Sequence, residues 1–152
     1  MPSDLTLHAM NALHRVLIAV TRGRLGWRLG SMPALELTTT GRRSGQPRSL
    51  MLTSPLQLGE AYVVVGSRGG DDTHPAWFLN LLAEPRVRVA VAGRPAAPYR
   101  ARVMTAAERE RFWPVVTAAY PNYGAYQRRT SRVIPLVVLE PEASESRGEP
   151  GA

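Results

Sequence analysis

The chain has 152 residues, enough for one domain with short appendages. It has no cysteine and only three histidines, His8, His14 and His74, which excludes disulfides, thiolate metal sites and cysteine nucleophiles and argues against a histidine-rich metal centre. The formal charge of +7 is carried by 19 arginines without a single lysine, and favours anionic partners such as phosphates, polyacids, nucleic acid or anionic lipid.

The apolar stretch Val16–Val20 is too short to span a membrane and is followed by Arg22 and Arg24, so the protein is placed in the cytoplasm. Leu5 to Arg22 reads as an amphipathic helix with Leu5, Ala9, Ala12, Leu13, Val16, Leu17 and Val20 on one side. That stripe fits two roles. It could cover an open end of the domain, or it could anchor the protein peripherally to a lipid surface, with Arg24, Trp27 and Arg28 beside it.

From Ala34 the period changes to two. Strands are predicted at Ala34–Thr40, Ser49–Ser54 and Ala61–Ser67, the last a buried central strand on account of Tyr62-Val63-Val64-Val65. A loop follows, then a short helix from Pro75 to about Ala83. Val87–Val91 and Ala97–Val103 read as a hairpin around Gly93-Arg94-Pro95. Thr105-Ala106-Ala107-Glu108 is a capping box, and its helix runs to about Ala119, with Pro121 and Gly124 interrupting it. Ile134–Leu139 is the final strand, and the Glu-, Ser-, Gly- and Pro-rich end reads as a disordered tail. The organisation is therefore an N-terminal helix and linker over 1–32, a barrel domain over 33–141 and a tail over 142–152. Short turns between strands imply antiparallel pairing, giving an α+β barrel of about six strands with peripheral helices.

Four segments carry candidate chemistry. In Gly41-Arg42-Arg43-Ser44-Gly45-Gln46-Pro47-Arg48 two glycines let backbone N–H groups converge on an anion, and three guanidinium forks suit phosphate or carboxylate oxygens. The same segment could be a solvated hairpin loop. Ser67-Arg68-Gly69-Gly70 lets backbone approach a ligand closely, with Arg68 as a further cation. Trp77 and Asn80, three apart on a helix, could wall a flat ring; alternatively Trp77, Leu81 and Leu82 simply pack the helix onto the barrel. Tyr120, Tyr123 and Tyr126, also three apart, offer aromatic faces and phenols for hydrogen bonding or proton donation, or mere aromatic packing. Arg128, Arg129 and Arg132 read as a solvated cluster. No triad or carboxylate pair stands out, so a cofactor that brings its own chemistry is attractive. A nucleic-acid-binding barrel would suit the charge, but the aromatics do not interleave with the arginines, and no nucleic-acid partner is expected.

Taken in order, Leu37-Thr38-Thr39-Thr40-Gly41-Arg42-Arg43-Ser44-Gly45-Gln46-Pro47-Arg48, Val64-Val65-Gly66-Ser67, His74-Pro75-Ala76-Trp77-Phe78-Leu79-Asn80-Leu81, Tyr120-Pro121-Asn122-Tyr123 and Arg132-Val133-Ile134-Pro135 resemble the deazaflavin-dependent nitroreductase family of actinobacteria. The resemblance implies a split β-barrel, similar to flavin reductases and FMN-binding split barrels, that binds reduced deazaflavin coenzyme F-420. It implies that Arg42, Arg43, Ser44 and Arg48 hold the phosphate and polyglutamate tail. Met51, Leu52 and Thr53, with Val65, Gly66, Ser67 and Arg68, would line the deazaflavin, and Ala76, Trp77 and Asn80 would close one side. Ser67, Tyr123 and Tyr126 would face the substrate, with Tyr120 behind them and Tyr123 also touching the cofactor. Arg43 and Arg68 stand where the family commonly has lysine, and Phe78 where it often has tyrosine. The implied reaction is hydride transfer to a small electron-poor acceptor: a quinone, a nitroaromatic or an activated enone. An FMN-dependent reductase and a non-catalytic coenzyme carrier are the alternatives.

Overall fold

The computed structural model describes residues 28–29 and 32–142. The predicted N-terminal helix and the tail beyond residue 142 lie outside the described residues. Eight strands appear: β1 (Arg28–Leu29), β2 (Met32–Thr40), β3 (Pro47–Thr53), β4 (Leu56–Leu58), β5 (Ala61–Val65), β6 (Arg86–Ala90), β7 (Ala97–Val103) and β8 (Leu136–Pro141). The helices are α1 (Ala76–Ala83), α2 (Ala106–Ala119) and α3 (Pro121–Arg128), with one 3₁₀ turn at Arg68–Gly70. Every pairing is antiparallel, and β2 to β8 make one curled sheet in the order β3-β2-β6-β7-β8-β5-β4, with β1 added to the start of β2. The α+β split barrel is thus the fold observed.

The differences from expectation have local causes. The three-residue β4 is too short to show a period and lies between two turns. The chain after Pro121 is not an interruption, because proline at the first helical position starts α3. Strand β5 is buried as predicted but lies second from the edge, next to β4. The capping box forms: Thr105 Oγ1 accepts from the Glu108 amide at 3.2 Å, and the Glu108 carboxylate accepts from the Thr105 amide at 3.0 Å.

The core has two faces. Leu35, Leu37, Val64, Val87, Val89, Val137 and Leu139 fill the barrel interior, plugged at one end by Trp77, Phe78 and Leu81 of α1. Val63, Val65, Leu136 and Val138 point outward and are covered by Val116 of α2 and Tyr123 of α3. Buried on both faces, β5 and β8 read as unbroken apolar runs rather than alternating ones.

The split lies between β3 and β5, and its closed end is Ser54. This serine is 1% exposed. Its amide donates to Pro33 O at 2.8 Å, and its hydroxyl lies 2.8 Å from Val63 O and 3.0 Å from Leu56 O. The chain turns there from edge strand β3 to edge strand β4, tying the two halves of the sheet together. The residues lining the opening follow from the register. Gly41 N–H donates to Gln46 O at one end of the β2–β3 ladder and Ser54 N–H to Pro33 O at the other. Facing groups alternate in an antiparallel pair, so Leu50 and Leu52 turn their peptide groups to β2 while Ser49, Met51 and Thr53 turn theirs outward. Across the gap, Gly66 N–H donates to Pro135 O, so Val63 and Val65 turn theirs away from β8; Val63 faces its β4 partner Leu56, and Val65, beyond the end of β4, faces the split.

The wall beyond Val65 is held by Arg132. Its guanidinium donates from Nε to Asp71 O at 2.7 Å, from Nη1 to Gly66 O at 3.1 Å and from Nη2 to Ser67 O at 2.8 Å. Nη1 also lies 3.1 Å from His74 Nδ1, which therefore carries the lone pair. The reading of Arg132 as part of a solvated cluster is corrected: the side chain is half-buried, and its fork is spent on the loop from 66 to 74. Burial, and then the Arg132 charge, push the His74 pKa below its ordinary 6.5.

Two expectations follow from these contacts. Ser54→Ala, which strips a buried hydroxyl from the corner, should cost roughly 1–3 kcal/mol of stability, read as a lower urea midpoint. For His74 the folded state prefers the neutral ring, so its contribution is complete above the unfolded pKa and is lost as pH falls below about 6.5 toward the depressed folded value. The drop in urea midpoint between pH 7.5 and pH 5.5 should be smaller in His74→Gln than in the parent; an equal drop would place the titration elsewhere.

Candidate functional site

The arginine turn links β2 to β3. Its N–H groups do not converge on an open anion site as the glycine pattern suggested. Gly41 N–H goes to Gln46 O, Gly45 N–H to Gly41 O, Gln46 N–H to Ser44 Oγ and Arg42 N–H to Asn80 Oδ1. What the turn offers outward is guanidinium. Arg42, Arg43 and Arg48 are exposed, and among the described residues none is paired with a carboxylate. Ser44 shapes the turn from within, with Arg48 Nη2 at 3.5 Å from its hydroxyl.

Asn80 bonds within the protein to both the arginine turn and β2. It is 5% exposed, and its Oδ1 accepts from both Arg42 N at 3.2 Å and Arg42 Nη1 at 2.9 Å. Its Nδ2 donates to the buried Thr39 Oγ1 at 3.2 Å. The carboxamide is a clasp between α1 and the arginine turn, aiming Arg42. Trp77 is a core residue, edge-on to Phe78 with ring centroids 6.3 Å apart. Of the two readings of this helix the packing one describes Trp77 and Leu81, while Leu82 is exposed and Ala76 lies on the surface.

Along β3 the three residues expected around a ring divide by parity. Leu52 packs toward the barrel interior, whereas Met51 and Thr53 belong to the split. Thr53 Oγ1 lies 3.2 Å from Tyr123 Oη, joining the end of β3 to α3. Tyr123 is buried against Val65 and Ile134, and Tyr126 meets it edge-on with centroids 6.0 Å apart. Burial, above all, raises the Tyr123 pKa, with Tyr126 and Tyr120 adding to it against the Thr53 hydrogen bond. The phenol therefore stays protonated and can donate, but it does not serve as a base near neutral pH. Tyr120 is half-buried behind it as the residue between α2 and α3.

The opposite wall is Val65 to Gly70. Gly66 presses on Pro135, where a Cβ would come within 2.8 Å of the ring. Gly70, at φ +85, lies under Tyr126, whose carbonyl oxygen would be 2.7 Å from a Cβ. These two glycines let the loop lie flat between β8 and α3. Ser67 is buried at the head of the loop. Arg68 is not an outward cation: it adopts φ +45, pairs with Asp71 at 3.1 Å and donates to Thr73. Arg129 reaches Gly69 O at 3.4 Å and covers the Tyr126 ring at 5.7 Å. The structure thus joins Thr53 to Tyr123, packs Tyr123 with Val65 and sets Tyr126 edge-on beside it, while Arg42, Arg43 and Arg48 stand at the other end of β3. Thr53 lies five residue steps along β3 from Arg48, which is about 17 Å of extended strand. Sequence reasoning missed Ser54, Thr39 and Arg132; only Pro135, which leaves the facing Gly66 carbonyl without a ladder donor, signalled that some side chain had to supply one.

Strand β3 thus has exposed cations at its start, peptide groups turned outward along its free edge and the Tyr123 phenol bonded to its last residue. The family model for F420H(2)-dependent quinone reductase matches residues 13–141. The F420H(2)-dependent quinone reductase Rv1261c of Mycobacterium tuberculosis is 40% identical over 136 residues, spanning 84% of this chain and 87% of that protein. A solved F420-H2 dependent reductase (FDR-A) is 38% identical, with a TM-score of 0.63 over 71% of this chain and 94% of that one. Another solved chain, described as a domain-swapped dimer, is 33% identical, with a TM-score of 0.65 over 85% of this chain and 96% of that one. These matches set aside the FMN-dependent reductase and the non-catalytic carrier. The chain belongs to the F420H(2)-dependent quinone reductase family, oxidoreductases whose reductant is the reduced deazaflavin coenzyme.

Proposed function

We propose that this chain passes a hydride from reduced coenzyme F-420 to a quinone, and to other flat electron-poor acceptors such as nitroaromatics, in the split between β3 and β5. The observation that carries the reading is the match between the groove and a long, amphiphilic, polyanionic coenzyme. Arg42, Arg43 and Arg48 suit the phosphate and glutamyl carboxylates, since each is exposed and unpaired with a carboxylate among the described residues. Met51 and Thr53 on one lip and Val65 on the other turn peptide N–H and C=O groups inward, which suits the alternating donors and acceptors at the edge of a deazaflavin ring. The roughly 17 Å between Arg48 and Thr53 separates tail from ring.

When bound, the coenzyme supplies the hydride. The chain's own residues orient it, exclude water and hold a proton ready. Tyr123 keeps its phenolic proton because burial raises its pKa, and with Thr53 hydrogen-bonded to it the phenol is a donor suited to an acceptor oxygen that gains negative charge. Ser67, buried at the loop head, is the second hydroxyl at that end. Tyr126 supplies an aromatic wall beside Tyr123.

Among the described residues no helix is long and apolar enough to cross a membrane. We assign any lipid contact to residues 1–32, whose apolar stripe beside Arg22, Arg24 and Trp27 suits a surface that holds lipophilic quinones.

The decisive test is a fluorescence titration with the coenzyme followed by turnover with menadione; failure to bind the deazaflavin would refute the reading. Arg48→Ala should weaken coenzyme binding about tenfold, as loss of one charge-assisted contact implies, with a melting temperature near that of the parent. Tyr123→Phe keeps the ring packing and removes the phenol, so it should lower kcat by about ten- to a hundredfold while coenzyme affinity changes little. Equal losses in both would make Tyr123 a binding residue only.

A further inference from the structure

We propose that Arg132 is a positioning residue for the coenzyme site: by holding the Gly66 and Ser67 carbonyls, the Asp71 carbonyl and the His74 ring, it sets the wall of the split against which the deazaflavin lies. The inference rests on the function proposed above and adds a residue that touches neither coenzyme nor acceptor.

Four observations carry it. First, the guanidinium uses all three of its nitrogens on the segment from 66 to 74. Its partners there are carbonyl oxygens and an imidazole nitrogen. Second, the sheet itself cannot hold Gly66. The Gly66 amide donates to Pro135 O, so its carbonyl faces Pro135, which has no N–H to return. Arg132 Nη1, at 3.1 Å, stands in for that missing donor. Third, a trans peptide points its C=O and N–H in opposite directions. With Gly66 O held toward Arg132, the Ser67 N–H is turned to the split. Fourth, the loop is strained, because Arg68 sits at φ +45, where a side chain is disfavoured. Such a backbone persists only where its surroundings over-determine it, and Arg132 is the side chain that grips it on both sides, at Ser67 and at Asp71.

A lysine cannot replace this residue. An ammonium is a point donor, while the four acceptors are spread around a planar fork. Charge is thus conserved in Arg132→Lys while geometry is lost, and the pair Arg132→Lys and Arg132→Met separates the two.

The test combines hydrogen exchange on the coenzyme-free protein with coenzyme titration. Both variants should speed exchange of amides between residues 66 and 74 and weaken coenzyme binding about tenfold or more, with Arg132→Lys no better than a partial rescue. In each variant Ser67→Ala should then cost turnover less than it does in the parent, because the hydroxyl is already out of place. Should Arg132→Met not fold, Arg132→Lys carries every readout. Full rescue by lysine would overturn the proposal in favour of a simple charge effect. So would faster exchange with unchanged coenzyme affinity, or unchanged exchange in the loop. If the parent protein itself fails to bind the deazaflavin, the proposed function falls, while the exchange result still decides whether Arg132 orders the loop.

Discussion

One buried hydroxyl decides the shape of this molecule. At Ser54 the chain leaves β2's partner strand and starts β5's partner strand, and the side chain bonds back to Val63 while its amide bonds to Pro33. The sheet is thereby pinned at one point and free to open beyond it. Because β3 and β5 diverge from that point, β3 presents a row of peptide groups to the gap, while β5 does so only beyond the end of β4, at Val65. The cleft is therefore a consequence of how the sheet ends, and its polar lining comes from the backbone itself. Side chains are left to provide what backbone cannot: cations at one end, a phenol at the other.

That division matches what the chemistry asks for. The reductant carries its own reactive ring, so the protein needs no nucleophile and no strong base. It needs a handle for an anionic tail, a rigid slot for a flat ring and a donor that stays protonated. Asn80 is the least expected part of the handle. By bonding both the amide and the guanidinium of Arg42, it ties the arginine turn to the same helix that plugs the barrel core. Tyr123 serves in the same double way, packed in the outer core and bonded across to Thr53.

Much of this was legible in the sequence, and the reasons for the gaps are physical. The alternation of β2, the capping box of α2 and the proline before α1 are local signals, and local structure obeyed them. What the sequence did not reveal were long-range polar contacts. Arg132 looks the same on paper as Arg128 and Arg129, its companions in a basic run; only the fold turns its whole fork inward onto the Gly66, Ser67 and Asp71 carbonyls, while Arg129 reaches Gly69 O from the surface. Asn80 and Trp77 share a helix, but Trp77 packs into the barrel interior while Asn80 bonds Arg42 and Thr39, partners roughly forty residues away that no local spacing reveals. Ser54 stands before a proline and reads as a strand end, which it is, yet the partner that makes it structural is on β5. The N–H groups of the glycine-rich turn were assigned to an anion because their internal acceptors lie in the same short loop, where spacing alone cannot distinguish a closed turn from an open cradle.

The open edge of β3 has a bearing on the life of the protein outside its reaction cycle. Among the described residues no strand pairs with that side, and an unpaired strand edge is a template on which another chain can add itself. Pro47, which lacks a donor, and Arg48, which repels a second copy of itself, blunt the edge at one end. A coenzyme lying along the groove would occupy the peptide groups of that edge and act as a shield against self-association. Supply of the deazaflavin would then govern how much of the protein stays dispersed as well as how much of it is active.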